Sequence, residues 1–218
     1  MSAEVDHLVV AAHSLEQGAD WCQRVLGVAS RPGGKHRAMG THNRLLALSS
    51  AAFPRSYLEI IAIDPDAPAP SRPRWFGLDD AALQQRLREA PRLLHFVARS
   101  TGLDATLTAL AALGLDAGQA VAAERASAHG LLRWRIAGRA DGQLLCGGAL
   151  PTLIEWDAMH PSDHLPASPV ALQSLGVAGL APAVMAALAL QGVTAGDGNA
   201  LQAVLQTPAG RVVLRSDA

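Results

Sequence analysis

The chain has 218 residues, half of them hydrophobic, and a formal net charge of −1. That apolar share supports a sizeable core and excludes a disordered chain. The near-zero charge excludes a protein that binds nucleic acid by neutralising phosphates, and an aromatic content of 4% argues against a base-stacking platform.

The chain opens on Val5-Asp6-His7-Leu8-Val9-Val10-Ala11-Ala12, a strand with one histidine in an apolar run. Strand alternation places His7 on the face of Val5 and Val9. Ser14 followed by Gln17 is a capping-box pattern, and Leu15, Ala19, Cys22, Val25 and Leu26 continue as a helical stripe that Gly27 stops. Cys22 falls on that stripe and reads as a buried hydrophobe. Pro32-Gly33-Gly34 reads as a turn, Arg44 to Leu48 as a strand, and Tyr57 to Ile63 as a strand carrying Glu59 among apolar residues.

Pro65, Pro68, Pro70 and Pro73 exclude helix and central strand from the connector that follows. A short helix is expected from Asp79 to about Glu89. Leu93-Leu94-His95-Phe96-Val97-Ala98-Arg99 then repeats the opening pattern, again with one histidine. Ser100 or Thr101 is the expected cap of a helix with Leu103, Leu107 and Leu110 on one face, stopped at Gly114. Strands are expected at Leu132 to Ile136, from Leu144 through Cys146 after an Asp141-Gly142 turn, and at Leu153 to Trp156 with Glu155. A third unit has a strand at Ala171 to Val177, a helix at Ala181 to Leu190 and a hairpin of Leu201 to Gln206 with Arg211 to Arg215. Its strands carry neither the histidine nor the glutamate.

One supersecondary unit is thus repeated. The expected division is residues 1–92 as a first βαβββ module with its connector and helix, 93–165 as a second, and 166–218 as an incomplete βαββ unit. The class is α+β, with the paired modules forming a curled mixed sheet around a cleft.

A carboxylate in the middle of a buried strand needs a partner, a shifted pKa or a cation. Histidine and glutamate suit zinc, manganese, nickel or iron(II), and equally suit a polar cleft lining without metal. Among the other polar and aromatic residues, His42 follows a turn and precedes a strand, and His160 and His164 flank a proline loop after the Glu155 strand. Trp75 and Phe76 serve as a pocket wall or as an anchor for the connector. Arg133 and Arg135 are carboxylate binders or a solvated face. His13, His36 and His129 are expected at the surface.

The stretches Val5 to Val9, Gly40 to Leu48, Tyr57 to Ile61, Pro73 to Leu78 and His160 to Pro166 resemble the vicinal oxygen chelate superfamily, and within it the glyoxalase-like subgroup. Its relatives include glyoxalase I, extradiol dioxygenases and the bleomycin-resistance proteins. The resemblance implies that His7, Glu59, His95 and Glu155 line one cleft and hold a divalent ion (Ni, Zn, Mn, Co or Fe(II)) that chelates adjacent oxygens of a small-molecule substrate. Glu59 and Glu155 are the implied proton-transfer groups, with His42, Trp75, Arg133 and His160 as substrate contacts. Isomerase, lyase or dioxygenase chemistry follows from that site. The alternative is a metal-free protein that sequesters a small ligand, as the bleomycin-resistance relatives do. The proline-rich insertion and third unit depart from glyoxalase I and argue against a glutathione substrate. No signal for export or membrane insertion is seen, so a cytoplasmic protein is expected, free of nucleic-acid and membrane partners. Superfamily members build the cleft within a chain or across a homodimer, and both remain open at this point.

Overall fold

The computed structural model describes residues 2–127 and 129–216, so Met1 and the last two residues of the expected third unit lie outside it. The first module comprises β1 (Ala3–Ala11), α1 (Leu15–Leu26), β2 (Arg31–His36), β3 (Thr41–Ala47) and β4 (Tyr57–Ile63). Helix α2 (Ala81–Glu89) follows the connector. The second module comprises β5 (Arg92–Ser100), α3 (Leu103–Ala112), β6 (Gln119–Ser127), β7 (Gly130–Gly138) and β8 (Thr152–Trp156). The third unit comprises β9 (Ala171–Val177), α4 (Pro182–Leu188), the short β10 (Leu190–Gln191) and β11 (Val193–Ala195), and the hairpin β12 (Leu201–Thr207) with β13 (Gly210–Arg215).

Both modules wire their strands alike. β1 runs parallel to β4, β5 runs parallel to β8, and β1 pairs antiparallel with β5 at the centre. The result is one sheet in the order β2-β3-β4-β1-β5-β8-β7-β6, with β10 beside the start of β1. Its terminal strands face each other across a cavity, since Gly34, Lys35 and His36 of β2 and Val121 to Arg125 of β6 line the same space. The sheet is therefore curled, and the cleft is complete within one chain.

Sequence logic explains the outer layer. Ser14 Oγ accepts the Gln17 N–H at 3.2 Å and Gly27 closes α1 in the left-handed region, φ 75°. Leu8, Val10, Leu58, Ile60, Phe96 and Leu153 point outward into a core shared with α1, α3 and the sheet β11-β9-β12-β13, and each large side chain there contributes about 1.5–3 kcal/mol by burial. The third unit thus backs the convex face of the main sheet. Val9, Ala11, Ile61, Val97 and Ile154 point inward, where Phe76, Leu78, Leu83 and Leu87 cover one end of the cleft. No helix among the described residues is long and apolar enough to cross a membrane.

Five local expectations need correction. The helix of the third unit ends at Leu188, with Ala189 in the left-handed region, φ 45°, and Leu190 already belongs to β10. Pro32-Gly33-Gly34 lies inside β2, not in a turn, and the two glycines make room for neighbours: a Cβ on Gly33 would overlap Asn43, and one on Gly34 the Arg125 guanidinium. Leu144 to Cys146 is not a strand. The strand missing from the expected second module is β6, whose Gln-Ala-Val-Ala-Ala-Glu-Arg-Ala-Ser sequence is an edge strand with little to bury, so its apolar alternation is weak. The Asp141-Gly142 turn is present but joins no hairpin. The α3 cap is Gly102, with Ser100 Oγ accepting the Gly102 N–H at 3.2 Å one step before the helix.

Candidate functional site

The centre of the cleft is set by an irregularity in β1. Val5 stands opposite Ala98 and His7 opposite Val97, so Asp6 is an extra residue in a bulge. A bulge breaks the two-residue alternation. Asp6 and His7 therefore both reach the concave side, and His7 shares its face with Val9 but not with Val5. Asp6 is fully buried and accepts three hydrogen bonds, from His7 Nδ1 (2.6 Å), His160 Nε2 (2.8 Å) and Trp156 Nε1 (2.9 Å). His160 Nδ1 accepts the Ser162 N–H at 3.2 Å, which leaves its Nε2 to carry the proton given to Asp6.

His7 Nε2 faces Glu59 Oε2 at 3.5 Å, and Tyr57 stacks on the His7 ring at 4.6 Å. Glu59 Oε1 accepts from Asn43 Nδ2 at 2.5 Å and has His36 Nε2 at 3.8 Å. Asn43 in turn accepts the Gly34 N–H at 2.7 Å through Oδ1. One imidazole thus sits between two buried carboxylates.

The electrostatics follow. Burial opposes the His7 charge, but hydrogen bonds and attraction from Asp6 and Glu59 prevail and push its pKa up to about 9. Burial likewise opposes the Glu59 charge, and His7, His36 and Asn43 overcome it and hold Glu59 at about 2. Asp6 is held well below the usual carboxylate range against its own burial by His160 and His7. Burial dominates at His36 and lowers it to about 4. At neutral pH the centre is carboxylate, imidazolium, carboxylate.

The second module does not repeat this. In the first, Val9, two residues after His7, pairs with Glu59; in the second, Val97, two residues after His95, pairs with Thr152. Thr152, not Glu155, occupies the place equivalent to Glu59. Glu155 lies three positions on, an odd displacement that sends it to the opposite face. There it pairs with Arg135 at 3.0 Å, which also binds Asp104 of α3. His95 is locked: Nδ1 donates to Gly148 O (2.8 Å), and Nε2 accepts from Thr152 N (2.9 Å) and Thr152 Oγ1 (3.0 Å). Burial keeps it neutral, with a pKa lowered to about 4.

Of the expected site residues, the structure thus brings His7 and Glu59 together, adds His160 behind Asp6, and leaves His95 and Glu155 apart from them. Trp75 lines the cleft and meets the His36 ring edge-on at 5.0 Å. Its neighbour Phe76 holds a left-handed backbone, φ 60°, a strain common at functional sites. Two expected contacts point elsewhere. His42 shares the outward side of β3 with Leu46, whereas the next residue, Asn43, faces inward. Arg133 is exposed and paired with Glu124 at 3.2 Å. His36, expected at the surface, is nearly enclosed in the cleft. Asp6, Asn43 and His36 were the residues missed. Asp6 had one usable signal, an acid inside an apolar strand, but only the bulge turns it inward.

Beyond the His7–Glu59 pocket lies a cavity of about 810 Å³ with His36, Trp75, Phe76, Arg125, Trp134 and Ile136 shared between the two. Its wall is largely apolar, with Val121, Ile136, Leu144 and Leu145 facing in. Volume and lining suit a drug-sized organic ligand. None of residues 166–216 lines either space.

Comparison with known proteins agrees with this architecture. The profile of the glyoxalase-like domain matches residues 5–192, most of the chain. The chain belongs to the glyoxalase-like domain family. It is therefore a member of the vicinal oxygen chelate superfamily, and the match takes in both modules but not the β12–β13 hairpin. No curated protein matches the sequence. A hypothetical protein from Staphylococcus aureus aligns at TM-score 0.54 with 13% identity, over 81% of this chain and 69% of the other. A Streptomyces coelicolor methylmalonyl-CoA epimerase variant in complex with 2-nitronate-propionyl-CoA aligns at TM-score 0.44 with 18% identity, over 72% and 96%. Methylmalonyl-CoA epimerase from Mycobacterium tuberculosis aligns at 0.39 with 15% identity, over 70% and 85%. At 13% identity the likeness to the Staphylococcus aureus protein is one of fold.

The four-ligand metal set implied by the superfamily can be tested against the donors of this glyoxalase-like chain. Both His95 nitrogens are engaged, Glu155 is on the other face, and no three His, Cys, Asp or Glu side chains among the described residues group around a common ion position. The residues His7, Glu59, His95 and Glu155 do not fit a shared metal.

Proposed function

We propose that this glyoxalase-like protein is a cytoplasmic small-molecule enzyme whose reaction centre is the Asp6–His7–Glu59 network, and that it moves a proton on a carbon next to a carbonyl, as an isomerase or lyase does. The observation that carries this reading is the buried His7 imidazole, fixed through Nδ1 by Asp6, with Nε2 turned towards Glu59 in a small pocket that shares a wall with the large cavity. A charged donor aimed at developing enolate oxygen stabilises the transition state. Glu59, beside it, is placed to take the carbon-bound proton. A ligand oxygen that engages His7 draws that donor away from Glu59, so the carboxylate becomes more basic as substrate binds. Tyr57 and Asn43 hold the two groups in place. Cys22 and Cys146, both free, fit a reducing compartment.

The donor geometry favours a reaction centre of protein groups over one built on nickel, zinc, manganese, cobalt or iron(II), and dioxygenase chemistry lacks its third donor among the described residues. A second reading is sequestration of a small ligand. It is favoured by one specific observation: a carboxylate held at about 2 is a weak base before substrate arrives. The two readings separate by solvent deuterium exchange into the α-position of a panel of 2-oxo acids, 2-hydroxy ketones and acyl thioesters, followed by proton NMR. The enzyme reading expects exchange into at least one of them, slowed about 100-fold or more by Glu59→Gln. Tight binding without exchange across the panel sinks it in favour of sequestration.

A further inference from the structure

The large cavity carries charged groups that the proposed chemistry does not use. Arg125 reaches in from β6, and its guanidinium Nε and Nη1 are buried with no hydrogen-bond partner among the described residues. The group is not there by accident of packing. It occupies the space left by the missing side chain of Gly34, and it lines both the large cavity and the small pocket of His7 and Glu59. Its donors are therefore desolvated at the junction of the two spaces. Buried donors left unpaired are costly, and guanidinium is suited to planar, two-point recognition of an anion.

The other charges around the cavity agree in sign. Lys35, Arg37, Arg72, Arg125 and Arg139 line it, against Glu124. Some are already paired: Lys35 with Asp64 at 2.7 Å, Arg139 with Asp141 at 2.5 Å, and Glu124 with Arg133. Arg72 spends Nη2 on Arg139 O at 2.9 Å and keeps a buried, unpartnered Nε. Two arginines with unspent donors therefore line one apolar cavity.

We infer that Arg125 forms an anion-binding subsite, and that the ligand of this cavity is an organic anion, an apolar body bearing a carboxylate or phosphate. The inference deepens the proposed function by naming its substrate class, and it rests on the same cavity. The anion docks on Arg125, and the apolar part lies along Trp75, Trp134 and Ile136. Placing the anion on Arg125 also keeps it off Glu59, whose negative charge repels it, and so fixes which end of the ligand meets His7.

The test is calorimetric binding of octanoate, octyl phosphate and octanamide to the full chain. Octanoate and octyl phosphate separate the two headgroup sources, and octanamide is the neutral control. The expected result is that at least one anion binds about tenfold or more tighter than the amide. Arg125→Gln erases that advantage while amide binding persists, and Arg24→Gln, an exposed position on α1, leaves everything unchanged. If Arg125→Gln does not fold by circular dichroism, Arg125→Lys replaces it and reduces the anion's advantage through loss of two-point geometry. Equal binding of amide and anions, absence of binding by any probe, or an unchanged advantage in a folded Arg125 variant overturns the subsite. Glu59→Gln distinguishes the two proposals: it keeps or strengthens anion binding while abolishing exchange. Anion binding with no exchange for any substrate would end the catalytic reading and leave the subsite standing.

Discussion

The two halves of the central sheet share a wiring diagram and differ in what their first-strand histidines do. His7 is stabilised as a cation between Asp6 and Glu59, whereas His95 is neutral and bound to Gly148 and Thr152. The scaffold places an imidazole in both halves. What decides its state is the carboxylates within reach: Asp6 from the β1 bulge and Glu59 from the parallel partner strand in the first half, where the second half has the hydroxyl of Thr152. A repeat therefore conserves positions in space without conserving chemistry, and one half locks its histidine in backbone hydrogen bonds while the other sets it between carboxylates.

The largest effect expected from breaking this contrast is at Asp6. Asp6→Ala strips partners from His7, His160 and Trp156 inside the protein, and about 3–5 kcal/mol of stability should be lost in urea unfolding. His95→Ala removes a neutral histidine with its backbone hydrogen bonds, and a smaller loss of about 2–3 kcal/mol is expected, with deuterium exchange rates retained. If His95→Ala also abolishes exchange, the division of labour between the halves is wrong.

Next comes pH. His7 has a folded pKa of about 9, above its usual 6.5, so its contribution is fully present below pH 6.5 and is lost as pH rises through 9. His95 has a folded pKa of about 4, below 6.5, so its contribution is present above pH 6.5 and is lost as pH falls towards 4. Glu59 acts on the acid side as well, its contribution being present above 4.5 and lost as pH falls towards 2. In thermal denaturation across pH, His7→Gln should flatten the alkaline limb and His95→Gln part of the acid limb. Exchange of the two limbs between the variants would contradict the assignment.

The smallest effect belongs to Glu155. It is partly exposed and paired with a half-exposed arginine, so Glu155→Gln should cost less than about 1 kcal/mol and leave exchange unchanged. A loss of exchange comparable to that of Glu59→Gln would restore Glu155 to the reaction centre.

The repeat, its two histidines, Glu59 and both ends of α1 were legible because each is a local signal: periodicity, a capping serine, a glycine stop. The site was only partly legible, because parity along a strand depends on register, which a sequence carries weakly. A bulge at Asp6 turned that residue inward, and a three-residue offset turned Glu155 outward. His42 and Asn43 show the same sensitivity, since one step along β3 separates an outer-face residue from a contact to Glu59. β6 was invisible because an exposed edge strand of alanines and charged residues has no apolar period. Arg125 on that strand was hidden with it.

The central claim is that, of the two first-strand histidines, only His7 is charged, and it is tested most directly by histidine ring NMR titration of one sample, with His7→Gln and His95→Gln for assignment. The account predicts that His7 titrates near 9 and His95 near 4. Both rings titrating together near 6.5 would contradict it.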